Sequence, residues 1–275
     1  MKRAGLVVLA GILVAASAAL GRADGARVQD ATFHAYALGG DLGFEVYLPA
    51  GYDRADERYP VIYFLHGLPA NGSAYRGVGF VEHALDVVGR PAILVVPQGA
   101  RDGDTDPEYV DRSGGRGWGT AIAQELPRVV DARYRTIRAR DGRALIGVSA
   151  GGYGAMHLAL TYLGEFSVVE SWSGYFHPTD PTGTKPLQLG SGNDVHRELQ
   201  AQRGTLRSLP TFIGFYVGAR DRRFAAENRR LNHELSSAGV PHVFRIYDGG
   251  HEQALWQRYA PAWLRLALAH LAPAG

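Results

Sequence analysis

A single α/β domain, with a mostly parallel sheet and helices on both faces, is what this 275-residue sequence predicts. Three observations carry that expectation. Short apolar runs such as Val61 to Leu65 and Ala92 to Val96 suit strands covered on both faces. Helix-compatible segments separate successive runs up to the carboxyl end, which is the alternation a parallel sheet requires. Between the apolar Arg143-Ala144-Leu145-Ile146 and the helix-compatible Tyr153 to Tyr162 lies Gly147-Val148-Ser149-Ala150-Gly151. That is a G-x-S-x-G turn in the strand-to-helix context of a nucleophile elbow.

The elements follow in order. Lys2 and Arg3 precede an apolar, small-residue stretch from Leu6 to Leu20, which reads as an export signal over residues 1–25, cut after Ala18 or Ala23. An uncleaved anchor is the alternative, although the stretch is short for a span of about 20 residues. Membrane contact is expected only through this segment, and either reading puts the domain, residues 26–275, outside the cytoplasm. Thr32 to Leu38 and Gly43 to Leu48 alternate as an antiparallel pair around Gly39-Gly40-Asp41. Val61 to Leu65, a helix over Gly79 to Val88, and Ala92 to Val96 come next. Thr120 to Tyr134 has a helical period through Ile122, Leu126, Val129 and Val130, with a kink or late start expected at Pro127. The elbow strand and its helix lead to a strand at Ser167 to Trp172. Residues 173–209 hold Pro178, Pro181, Gly183, Pro186, Gly190 and Gly192 and are expected to be an irregular cap insertion. A strand from Phe212 to Val217, a helix from about Arg222 to Ser237, a strand from Val243 to Tyr247 and a last helix through Ala254, Trp256, Trp263 and Leu266 complete the chain.

Composition narrows the chemistry. The chain has no cysteine, so disulfides, thiolate nucleophiles and Cys-based zinc sites are excluded. A net charge of +2 without a basic run gives no footprint for nucleic acid. Asp102, Asp104, Asp106 and Glu108 alternate like calcium ligands, but Pro107 stands where an EF-hand loop needs glycine and Ser113 where it needs its bidentate glutamate. A solvated acidic loop is expected instead. No metal and no cofactor are expected.

A serine hydroxyl attacks only if a base takes its proton, and that base needs an acceptor behind it. In such sheets these groups stand at successive strand ends in the order serine, acid, histidine. Ser149, Asp221 after Phe215-Tyr216-Val217-Gly218, and His251 after Asp248-Gly249-Gly250 supply that order. Asp221 is also suited to capping the next helix, and the two roles can coincide. Asp248 and Glu227 are the rival acids, while His242, His157 and His233 fit structural roles. The developing oxyanion needs two donors. The Ala150 N–H follows from the elbow. The second should lie in His66-Gly67-Leu68-Pro69 after the first central strand, and since Pro69 has no N–H, Leu68 is the choice. Trp118, Trp172, Tyr175 and Phe176 fall near strand ends and are candidates for the substrate pocket, with core packing an equal alternative for Trp172.

Val46-Tyr47-Leu48-Pro49, Tyr59-Pro60-Val61, Leu65-His66-Gly67, Gln124-Glu125-Leu126-Pro127, Tyr134-Arg135-Thr136, the elbow, Glu227-Asn228-Arg229-Arg230 and Gly249-Gly250-His251 together resemble the putative-esterase family of the α/β-hydrolase superfamily. That family is similar to esterase D, feruloyl, acetylxylan and enterochelin esterases and secreted mycolyltransferases. The likeness spans roughly residues 40 to 270. It implies an α/β-hydrolase fold and a serine mechanism using Ser149, Asp221 and His251, with Leu68 and Ala150 as oxyanion donors. Two departures stand out: many relatives have S-M-G-G where this chain has Ser149-Ala150-Gly151-Gly152, and Gly119 replaces a glutamate often found after the aromatic at Trp118.

The expected activity is cofactor-independent hydrolysis of a small-molecule or carbohydrate-linked ester by an exported protein. An acyltransferase passing the acyl group to a carbohydrate hydroxyl shares the first half-reaction and is the nearer alternative. A non-catalytic binding module is the remote one.

Overall fold

The computed structural model describes residues 25–54, 56–69, 71–101, 109–112, 114, 116–179, 185 and 193–275. Residues 1–24 of the expected export signal over residues 1–25, and the acidic run Asp102 to Glu108, lie outside the described residues. Among the described residues no helix is long and apolar enough to cross a membrane.

The chain enters through an antiparallel pair, β1 (Arg27–Ala35) and β2 (Gly40–Leu48), registered from Arg27 opposite Leu48 to Ala35 opposite Gly40. Both strands begin earlier than the alternation suggested. A short 3-10 turn, Tyr36–Leu38, joins them and is closed by Gly39 at φ 55°. β3 (Val61–Leu65) is buried along its whole length, as a doubly covered strand should be. Helix α1 (Gly79–Val88) leads from it to the parallel strand β4 (Ile93–Pro97), whose other edge pairs antiparallel with β2.

A two-residue ladder, β5 (Asp111–Arg112) with β6 (Arg116–Gly117), precedes α2 (Trp118–Thr120). That helix runs through a π turn, Ala121–Glu125, into α3 (Leu126–Arg133). The expected disturbance at Pro127 therefore takes the form of a widened turn just ahead of it. Leu126 N–H reaches back to Ala121 O, and Pro127, which has no N–H to give, falls in the first turn of α3, where its absence costs least. Then follow β7 (Arg143–Val148), α4 (Ala150–Thr161), β8 (Val168–Trp172), α5 (Val195–Ser208), β9 (Phe212–Gly218), α6 (Ala225–Ser237), β10 (Val243–Tyr247) and α7 (Gln253–Ala269).

The main sheet is ordered β1-β2-β4-β3-β7-β8-β9-β10, in which β4, β3, β7, β8, β9 and β10 are mutually parallel. Alternate side chains feed two layers. Ile62, Phe64, Ile146 and Trp172 pack with α1 and α7 on one face. Tyr63, Leu65 and Leu145 pack with residues of α3, α4 and α6 on the other. The chain steps from β3 outward to β4, then crosses back to β7 on the other side of β3. This reversal opens a crevice beyond the carboxyl ends of β3 and β7, the usual ligand position in such sheets.

The sequence expectation for residues 173–209 needs correction. Val195–Ser208 is a regular helix, capped by Asp194, whose side chain accepts the Arg197 N–H at 3.2 Å. It buries Val195, Leu199 and Leu206, each worth about 1.5–3 kcal/mol if fully removed from water. Paired histidines and carboxylates fasten it on both sides. His157 of α4 meets Glu198 at 2.7 Å, while His196 meets Glu234 of α6 at 2.5 Å and Glu227 at 3.4 Å. Glu227 also binds His177.

Candidate active site

β7 delivers Ser149 to the crevice on a turn only small residues allow. Ser149 itself has φ 56° and ψ −119°, a region costly to any residue with a side chain, by about 1–3 kcal/mol. Its N–H is tied to Trp172 O at 2.9 Å and its carbonyl accepts the Tyr153 N–H at 3.1 Å, so strand and helix both hold the turn. A Cβ at Gly147 would lie 2.1 Å from Gly151 O, and one at Gly151 would lie 2.0 Å from Leu65 O. The glycines of the motif are thus required by the approach of α4 to β7 and β3.

The loops after β9 and β10 are stitched together. Ala219 N–H binds Tyr247 O at 2.7 Å, Arg220 N–H binds Gly249 O at 2.8 Å, and a Cβ at Gly218 would sit 2.5 Å from Gly249 O. This contact brings Asp221 and His251 together: Asp221 Oδ2 lies 2.8 Å from His251 Nδ1, and His251 Nε2 lies 2.8 Å from Ser149 Oγ. Asp221 is 2% exposed, and its Oδ1 accepts the N–H groups of Arg223 at 3.1 Å and Phe224 at 3.3 Å. It therefore faces His251 and also secures the turn into α6. The imidazole is held edge-on between Phe224 and Trp256, each with ring centroids 5.2 Å away. Of the rival acids, Asp248 is exposed and pairs with Arg220, and Glu227 is committed to His177 and His196.

Ser149 and His251 open on a cavity of about 740 Å³, which Gly67 and Leu68 also border. Leu68 N–H and Ala150 N–H have no hydrogen-bond partner among the described residues. The turn carrying Leu68 rests on His66. Nε2 of that ring accepts the Gly99 N–H at 3.2 Å, which leaves Nδ1–H to donate to Gly67 O at 2.9 Å. Burial holds the imidazole below its ordinary pKa, consistent with a neutral ring fixed in one tautomer. Tyr109, at φ 62°, donates its hydroxyl to His66 O at 2.7 Å from the other side. His242 is likewise structural, bonded to Val240 O and Asn232.

The expected pocket aromatics are only partly placed there. Tyr175 borders the cavity. Trp118, Trp172 and Phe176 do not: Trp172 packs on Phe64 in the α1/α7 layer, while Trp118 and Phe176 are buried in the opposite layer. Strand alternation turns Trp172 inward, although it ends its strand beside the crevice. The aromatic wall is instead Phe80, Phe224 and Trp256, all at or near helix starts. Nothing local in the sequence marks them, because their direction depends on how α1, α6 and α7 dock.

A family model described as putative esterase matches residues 35–264. The chain belongs to the Putative esterase family. The esterase Rv1288 of Mycobacterium tuberculosis is 30% identical over 250 residues, covering 80% of this chain and 54% of that relative. This chain thus spans about half the length of that curated relative. Among solved structures, a ferulic acid esterase superposes with a TM-score of 0.75 at 22% identity, covering 90% of this chain and 98% of the other. MPT51 of Mycobacterium tuberculosis gives 0.69 at 17%, covering 90% and 99%. The fold of this Putative esterase family member is that of the α/β-hydrolases.

Two residues from the motifs of the family resemblance tie separate parts of the fold together. Asn228 Nδ2 donates to Gly174 O at 2.8 Å and to Phe224 O at 2.9 Å, tying α6 to the loop after β8. Glu125 accepts the N–H groups of Tyr36 and Ala37 at 2.9 and 3.0 Å. At Gly119, where relatives often carry glutamate, a Cβ would lie 2.9 Å from Tyr109 O, so this chain has no room for a side chain there.

Proposed function

We propose that this chain is a serine hydrolase of carboxylic esters, working through an acyl-enzyme without a cofactor. The observation that carries the reading is the continuous hydrogen-bonded line Ser149 Oγ, His251, Asp221, standing at the wall of an open cavity. Ser149 attacks the ester carbonyl carbon while His251 Nε2 takes its proton. Asp221 keeps the proton of His251 on Nδ1 and stabilises the imidazolium. The N–H groups of Leu68 and Ala150 receive the oxyanion. The tetrahedral adduct collapses, His251 gives its proton to the departing alkoxide, and an alcohol leaves. Water then repeats the sequence on the acyl-serine, releasing the acid and restoring Ser149. The run Leu6 to Leu20 supports an exported protein that does this outside the cytoplasm.

The test is turnover of a short-chain chromogenic ester together with labelling by an organophosphonate. Turnover lost in Ser149→Ala, with the label on Ser149, is the expected result. An intact, folded chain with neither turnover nor label overturns the proposal.

A further inference from the structure

Building on the ester-hydrolase reading, we infer that Arg223 selects esters that carry a carboxylate a few bonds from the reacting carbonyl. Arg223 borders the cavity that holds Ser149 and His251, and among the residues described along its wall there is no aspartate or glutamate. Among the described residues of that wall Arg223 is also the one permanently charged side chain.

Its backbone is tied down, and its exposed side chain rests against a ring. The backbone N–H is bound by Asp221 Oδ1 at 3.1 Å, the carboxylate that also faces His251. The guanidinium carbon lies 5.0 Å over the Phe224 ring, and that ring stands 5.2 Å from the His251 ring, so the cation is no more than about 10 Å from the imidazole. A guanidinium laid on an aromatic face keeps its in-plane N–H donors free to grip a carboxylate.

The carboxylates of the neighbouring loop and helix segments have partners of their own. Asp248 pairs with Arg220, Glu227 with His177 and His196, and Glu252 accepts the Gly250 N–H. Among the described residues Arg223 has no ion-pair partner. Seating the carboxylate of an anionic ester on Arg223 holds that substrate beside Ser149 and His251, so its gain falls on kcat/KM. The carboxylate takes no part in bond making.

The experiment uses the full chain and measures kcat/KM for anionic esters against neutral partners of similar size. Para-acetoxybenzoate against phenyl acetate places the carboxylate in the alcohol. The mono-para-nitrophenyl ester of glutaric acid against para-nitrophenyl butyrate places it in the acyl group. In at least one pair, Arg223→Gln should lower the anionic-to-neutral ratio by about fivefold, Arg223→Glu should lower it further, and added salt should lower it in the parent. Arg222→Gln, at an exposed neighbour that does not border the cavity, should leave the ratio where it was. An unchanged ratio in Arg223→Gln for both pairs, or an equal fall in Arg222→Gln, overturns the role of Arg223. If the parent turns over none of the esters, the hydrolase reading fails and this inference fails with it.

Discussion

Gly67 and Ser149 are in contact: a Cβ at Gly67 would lie 3.0 Å from the Ser149 Cβ and 3.1 Å from the Val148 carbonyl oxygen. The turn that carries Leu68 and the turn that carries Ser149 are therefore set against each other with no spare space. Gly67→Ala should push them apart by a few tenths of an ångström. Because catalytic alignment is steep in distance, kcat should fall by about 10²-fold with a smaller change in KM. Steady-state kinetics on a chromogenic ester checks this, and a variant with parental kcat would show that the contact is slack.

Asp221→Asn should leave the fold standing, since an amide oxygen can still accept the N–H groups of Arg223 and Phe224. Its amide can present a donor where His251 Nδ1 needs an acceptor, favouring the wrong tautomer. A fall in kcat of about 10³–10⁴-fold is expected, with circular dichroism and melting temperature close to those of the parent. Retained activity would instead point to another carboxylate behind His251.

The grip on α5 should loosen as pH rises. Burial pushes His196 down, but its hydrogen bonds to Glu227 and Glu234 prevail and hold it above 6.5. A histidine raised by folding contributes stability below its unfolded value and loses it as pH climbs through the folded one. Burial also raises Glu198 above 4.5, and the bond to His157 only partly offsets it, so ionising this group also works against the folded state as pH rises. Glu227 has the opposite sense: burial raises it, but its bonds to His177 and His196 win and lower it, so its contribution is lost only at the acid end. Amide exchange across Val195–Ser208, corrected for intrinsic rate, should accelerate from mildly acidic to alkaline pH. Glu198→Gln should flatten that trend. Exchange that is independent of pH in the parent would count against it.

Glu45 gives a second pH dependence. Burial first, then its hydrogen bond and repulsion with Glu82, push it up to about 7. Between 4.5 and about 7 the folded chain holds a proton that the unfolded chain has released, so stability falls as pH rises across that window. Solvent screening at this partly exposed position keeps the effect small. Glu45→Gln should narrow the difference between denaturation midpoints measured on either side of the window. An unchanged difference would remove Glu45 as its source.

Much of this architecture was readable because the strands are short and buried. A run such as Val61 to Leu65 has few alternatives, and Gly79–Val88 and Val243–Tyr247 fall where their patterns end. Ser149, Asp221 and His251 were legible from chain order, since parallel strands bring successive loops to one edge. Helix α5 is hidden in the sequence by the prolines and glycines ahead of it, which break the pattern of the whole stretch. Its signals were present in Asp194 as a cap and in Val195, Leu199 and Leu206 on one face. The cavity wall was not legible in principle. Trp118, Trp172 and Phe176 lie near strand ends, yet pleat and helix rotation send them into the core. Phe80, Phe224 and Trp256 reach the opening only through tertiary docking. Neutral His66, buttressing the Gly67 turn, was read as part of a motif rather than as its support.

The positive φ of Ser149 places the proposed nucleophile where the backbone itself would prefer glycine. Ser149→Gly should therefore melt no lower than the parent, while doing no chemistry. Selection for activity and selection for durability pull in opposite directions at this one position. In a library screened only for heat resistance, the proposed nucleophile is among the first residues that would be traded away.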